Sequence, residues 1–77
     1  MKEILDARGL LCPLPVLKAR KRLKTMLTGD LLKVWADDPA ARIDIPHYCS
    51  ESGNTLLETA ERRDGSSYYI IKKSEGP

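Results

Sequence analysis

The apolar positions of this chain fall into six short groups, and their spacing changes from group to group. The run Glu3–Ala7 (EILDA) carries Ile4 and Leu5 and stops at Gly9, the pattern of a short strand followed by a loop. From Pro13 onward Val16, Ala19, Leu23 and Met26 recur at steps of three and four, with Leu27 beside them and cations mostly between, which predicts one amphipathic helix. Pro13 suits its first position, where no amide bond is lost, and Gly29 suits its end or its exit turn. Asp30–Ala36 (DLLKVWA) reads as a second strand, rich in Leu, Val and Trp.

A second helix is predicted from Asp38 to Gly53, with Asp38 as N-cap and Pro39 as first helical residue. Pro46 interrupts it and predicts a kink or a restart, with Asp44 as a second cap. Thr55–Arg62 and Ser66–Lys73 close the chain as two strands joined across Asp64-Gly65, a hairpin signal. The tail from Ser74 to Pro77 (SEGP) is expected to fray. The order βαβαββ predicts an α+β fold: a two-layer α/β sandwich in which a small mixed sheet carries both helices on one face, the other face being at least partly wet. The first crossover is expected to be right-handed.

At 77 residues the chain is expected to form one domain, 1–77, with a simple core. Its 42% hydrophobic and 31% charged residues place it among folded proteins and away from the disordered regime. No apolar run approaches membrane-spanning length and the first residues lack the apolar stretch of a signal peptide, so a cytoplasmic location is expected, with no membrane partner. Two distant cysteines, Cys12 and Cys49, do not make a disulfide framework and point to free thiols in a reducing compartment.

Chemistry concentrates at Gly9–Pro15 (GLLCPLP), where Cys12 is followed by prolines at 13 and 15. The pattern places Cys12 at the N-cap of the first helix, where the helix dipole favours the thiolate. Pro13 and Pro15 supply no amides, which leaves chiefly the N–H groups of Leu14 and Cys12 to face the sulfur and predicts a modest acidification. A thiol with a pKa near ambient pH is suited to accept and release cargo. Cys49 lies four residues from Ile45 and reads as a core position, too far along its helix to pair with Cys12. His47 and Cys49 lack a second close ligand pair, so neither a metal nor another cofactor is expected.

The run Lys18–Lys24 (KARKRLK) holds five cations: Lys18, Arg20, Lys21, Arg22 and Lys24. It reads either as a solvated helix face or as a surface that steers an acidic partner toward Cys12. Leu10, Leu11 and Leu14 offer either an apolar docking rim or partly buried loop residues. An alternative makes the basic helix the working surface of a small regulatory or RNA-binding module with Cys12 incidental, although no stacking aromatics accompany the run and no direct nucleic-acid contact is expected. A disulfide oxidoreductase is disfavoured, because no resolving cysteine follows Cys12 at C-x-x-C spacing.

The stretch LDARGLLCPLPVLKARKRLK, with its C-P-x-P signature at Cys12, Pro13, Leu14 and Pro15, resembles the opening of the TusA (SirA-like) sulfur-carrier family, and ADDPAARIDIPHYC resembles that family's second-helix region. The resemblance implies a two-layer α/β sandwich and a sulfurtransferase-type carrier that holds sulfane sulfur as a persulfide on Cys12, with Pro13 and Pro15 framing the site. It implies a sulfur donor of the cysteine desulfurase or rhodanese type and an acceptor protein as partners. Where well-known tRNA-thiolating members have a basic residue before the cysteine and an acidic one between the prolines, this chain has Leu11 and Leu14, which implies a less charged docking surface.

Overall fold

A computed structural model describes residues 2–74 and contains six elements in the expected order. They are β1 (Lys2–Asp6), α1 (Leu14–Lys24), β2 (Leu31–Ala36), α2 (Ala41–Ser52), β3 (Thr55–Glu61) and β4 (Ser67–Lys72). Of the tail expected to fray, Glu75–Pro77 lie outside the described residues. The strands form one mixed sheet in the order β1-β2-β4-β3, with β1 parallel to β2 and the other two pairings antiparallel. The last strand therefore sits inside the sheet, between β2 and β3.

Strand alternation decides which residues meet the helices. Leu32, Val34 and Ala36 of β2 stand opposite Ile71, Tyr69 and Ser67 of β4, and all six are buried. Ala19 and Leu23 of α1 and Ala41, Ile45 and Cys49 of α2 join them in a single core that also takes in Leu5 and Met26. Full burial of a Leu or Ile side chain contributes about 1.5–3 kcal/mol, so Leu23, Leu32, Ile45 and Ile71, packed around the Tyr69 ring, hold the two layers together. The opposite sheet face is open: Trp35 meets Tyr68 edge-to-face at 5.2 Å, and the Lys33 ammonium lies 4.8 Å from the Trp35 ring centroid.

Several boundaries differ from the sequence expectation, each for a local reason. Helix α1 ends at Lys24, so Leu27 falls in the exit turn and is exposed rather than packed with the apolar face. Helix α2 starts at Ala41, not at Pro39, because the Asp38 carbonyl and carboxylate first close a tighter turn by accepting the N–H groups of Ala41 and Ala40. The α-helical run then continues through Pro46 to Ser52 without the expected restart. Pro46 removes only its own bond to the carbonyl one turn earlier, and the burial of Ile45 and Cys49 on either side of it favours an unbroken helix. Gly53, in the left-handed conformation at φ +83°, closes α2 by donating its N–H to the Cys49 carbonyl. In β3 a register shift between Leu56 and Glu58 leaves Leu57 bulged and exposed. Among the described residues, no helix is long and apolar enough to cross a membrane.

Candidate functional site

Because β1 and β2 are parallel, the loops that follow them leave the same edge of the sheet side by side. The β1–α1 loop carries Cys12 and the β2–α2 loop carries Asp37 and Asp38. The two are bonded together: Asp37 Oδ1 accepts the N–H of Gly9 at 2.9 Å, and Asp38 Oδ2 accepts the N–H of Cys12. Within the first loop Gly9 adopts φ +84°, a conformation costly for residues with a side chain, and Leu10 donates its N–H to the Ala7 carbonyl. The backbone that presents Cys12 is thus fixed from two directions, by its own turn and by the aspartates of the neighbouring loop.

Cys12 is exposed, and its Sγ lies 2.8 Å from Asp44 Oδ2 on α2. In that pair the thiol donates and the carboxylate accepts. The Cys12–Pro13 peptide is cis. Helix α1 begins at Leu14 with Pro13 at its N-cap, so Cys12 stands one residue before the cap that the sequence assigned to it. Neither amide expected to face the sulfur does so. The Leu14 N–H is bonded to the Leu11 carbonyl at 2.8 Å, and the Cys12 N–H to Asp38.

The expected acidification of Cys12 is therefore reversed. The hydrogen bond to Asp44 raises the thiol pKa above its ordinary value, with desolvation and the negative charges of Asp44 and Asp38 acting in the same direction. Asp44, expected as a helix cap, is instead the partner of the sulfur, and Asp38 serves both the turn before α2 and the Cys12 backbone. Beside the pair runs a groove of about 340 Å³, between Cys12, Pro13 and Val16 on one side and Asp44, His47 and Glu51 of α2 on the other. His47 Nε2 lies 3.5 Å from Glu51 Oε1.

The other residues singled out in the sequence distribute around this point. Leu11 is 70% exposed and Leu14 45%, so both stand at the surface next to Cys12, whereas Leu10 packs against the core. Pro15 is fully buried and anchors the first turn of α1. Lys18, Arg20 and Lys21 are exposed along α1; Arg22 is half-buried and bonded to Glu3 at 3.0 Å, which takes it out of any free basic surface. Cys49 is buried at 3% exposure, and burial alone pushes its thiol up to about 11. What the sequence reading missed is the role of Asp37, Asp38 and Asp44. The signal for the first two was the parallel pairing implied by strand-helix-strand order, which sets the two loops adjacent.

The chain matches the family described as Sulfurtransferase TusA over residues 3–73. A protein named Sulfur carrier protein TusA from Allochromatium vinosum is 44% identical over 70 residues, covering 91% of each chain. Another of the same name from Pseudomonas putida is 43% identical over 72 residues, covering 94% of this chain and 90% of that one. The crystal structure of a SirA-like protein from Desulfitobacterium hafniense superposes with a TM-score of 0.83 at 27% identity, covering 95% of this chain and 99% of that chain.

Proposed function

The chain belongs to the TusA sulfurtransferase family, and from that premise we propose that it is a sulfur carrier whose Cys12 takes up sulfane sulfur as a persulfide and hands it to the cysteine of an acceptor protein. The donor is a protein persulfide of the cysteine desulfurase or rhodanese type. The Cys12 thiolate attacks the terminal sulfur of the donor persulfide, the donor S–S bond breaks, and the donor cysteine leaves as a thiolate. Delivery repeats the step with Cys12 as the leaving group.

One observation carries this reading: of the two free thiols, Cys12 is exposed on a bonded turn beside an open groove, while Cys49 is sealed in the core. Pro13 and Pro15 frame the turn, one at the helix cap and one locked in the core beneath it. Leu11 and Leu14 provide apolar contact area next to the sulfur, and Lys18 and Lys21, one turn apart on α1, with Arg20 on the side of the helix nearer α2, supply exposed positive charge suited to an acidic partner surface. Free thiols fit a reducing compartment such as the cytoplasm.

Incubation with a cysteine desulfurase and cysteine, followed by intact mass measurement, is expected to show the gain of one sulfur atom in the wild type and in Cys49→Ala. The gain is absent from Cys12→Ser. A gain that survives Cys12→Ser overturns the assignment.

A further inference from the structure

Sulfur transfer needs the thiolate of Cys12, yet the groups around that atom oppose it. From the loop before α2, Asp38 holds the Cys12 N–H; from α2, the Asp44 carboxylate holds the thiol itself at 2.8 Å. Further along the groove α2 contributes Glu51, paired with His47. The α1 side contributes Pro13 and Val16, and among the described residues no lysine or arginine lines the groove. Of the α1 cations, Arg20 and Lys24 line a neighbouring groove that meets this one at Tyr48 and Glu51, and Lys18, Lys21 and Arg22 line another on the far side of the helix.

We propose that Asp44 selects the sulfur donors of Cys12 by charge, accepting the thiol's hydrogen bond at rest and favouring donors that bring a positive charge next to their sulfane sulfur over anionic ones. This rests on the carrier reading and narrows its substrate class: a persulfide flanked by a cationic side chain is accepted, and small anions bearing sulfane sulfur are turned away. A cation placed beside Asp44 neutralises the carboxylate and weakens its hold on the proton, so the thiolate forms where and when such a donor docks. The exchange balances without an outside oxidant. Cys12–SH and R–S–SH become Cys12–S–SH and R–SH: Cys12 loses its proton and bonds to the sulfane sulfur, the donor S–S bond breaks, and the departing thiolate takes up a proton. Asp44 touches the reacting sulfur and is left unchanged by the exchange.

The test uses three methanethiosulfonate reagents of matched chemistry and different charge: trimethylammonioethyl, methyl and sulfonatoethyl. Their rates with the full chain carrying Cys49→Ala are read by intact mass, with 2-mercaptoethanol as the neutral reference thiol. The cationic-to-anionic rate ratio is expected to exceed that of the reference by about tenfold, and to fall most of the way back in Asp44→Asn and in Asp44→Ser. The pH midpoint of iodoacetamide alkylation is expected to fall in both variants, because the hydrogen bond and the charge that raise it are removed. Circular dichroism confirms that each variant is folded, and having two substitutions guards against one failing to fold. A ratio unchanged by loss of Asp44, or a midpoint that stays or rises, overturns the proposal. Because these reagents load no sulfane sulfur, failure here is separate from failure of the persulfide assignment, which the desulfurase experiment reads alone.

Discussion

Replacing Asp38 with Ala should loosen the edge of the molecule that carries Cys12, because one carboxylate serves two backbone segments. Its Oδ2 accepts the Cys12 N–H and its Oδ1 the Ala40 N–H at 3.2 Å. A hydrogen bond to a charged group contributes about 1.5–3 kcal/mol when shielded from water. The first bond is exposed and the second long, so each belongs at or below the lower end, and together they amount to about 1.5–2.5 kcal/mol. In a domain of this size each kcal/mol moves Tm by roughly 4–8 °C, so Asp38→Ala is expected to lower Tm by about 6–20 °C. Thermal melts followed by circular dichroism measure it directly. Asp38→Asn, with one acceptor oxygen in place of two, should recover about half of the loss. A Tm for Asp38→Ala within about 2 °C of the wild type would refute the idea that this carboxylate ties the two loops together.

Two further outcomes follow from the titrating groups. Burial holds the Cys49 thiol in its neutral form up to about pH 11, so the native protein at pH 8 should take a single iodoacetamide label, at Cys12, and a second only in denaturant; two labels on the native fold contradict the buried position. Hydrogen bonds from the Arg8 side chain and backbone hold Asp6 down at about 2 from 3.8, so its stabilising interaction is present above about pH 4 and fades as the pH falls through 2. A carboxyl-carbon NMR titration should place its midpoint near 2, and Arg8→Ala should return it toward 3.8; a wild-type midpoint already near 3.8 would exclude the pairing.

The six elements and their order were legible in the sequence because each rests on a local pattern: the three- and four-residue steps of Val16, Ala19 and Leu23, the hairpin signal at Asp64-Gly65, and the four-residue step from Ile45 to Cys49. The start of α1 was blurred because Pro13 and Pro15 both suit a first helical turn, and the bond from Leu14 to Leu11 that decides between them has no sequence signature. The partner of Cys12 was hidden for a different reason. Asp44 lies 32 residues away, and two residues before a proline it reads locally as a cap. Only packing α1 beside α2 brings it to the sulfur. The sign of the thiol's shift followed the same course, since a rule based on the helix end alone omits the charges that the neighbouring loop and helix supply. The bulge at Leu57 likewise lacks a glycine to announce it.

The position of β4 between β2 and β3 has a consequence for how this chain becomes ordered during synthesis. While a ribosome is still making residues 55–61, the one ladder among the described residues that the emerged chain can close is the parallel pair β1 and β2, too small to be stable in water. Tyr69 and Ile71 arrive last and lock both halves at once, so the nascent protein should remain unstructured and protease-sensitive until its final strand clears the exit tunnel.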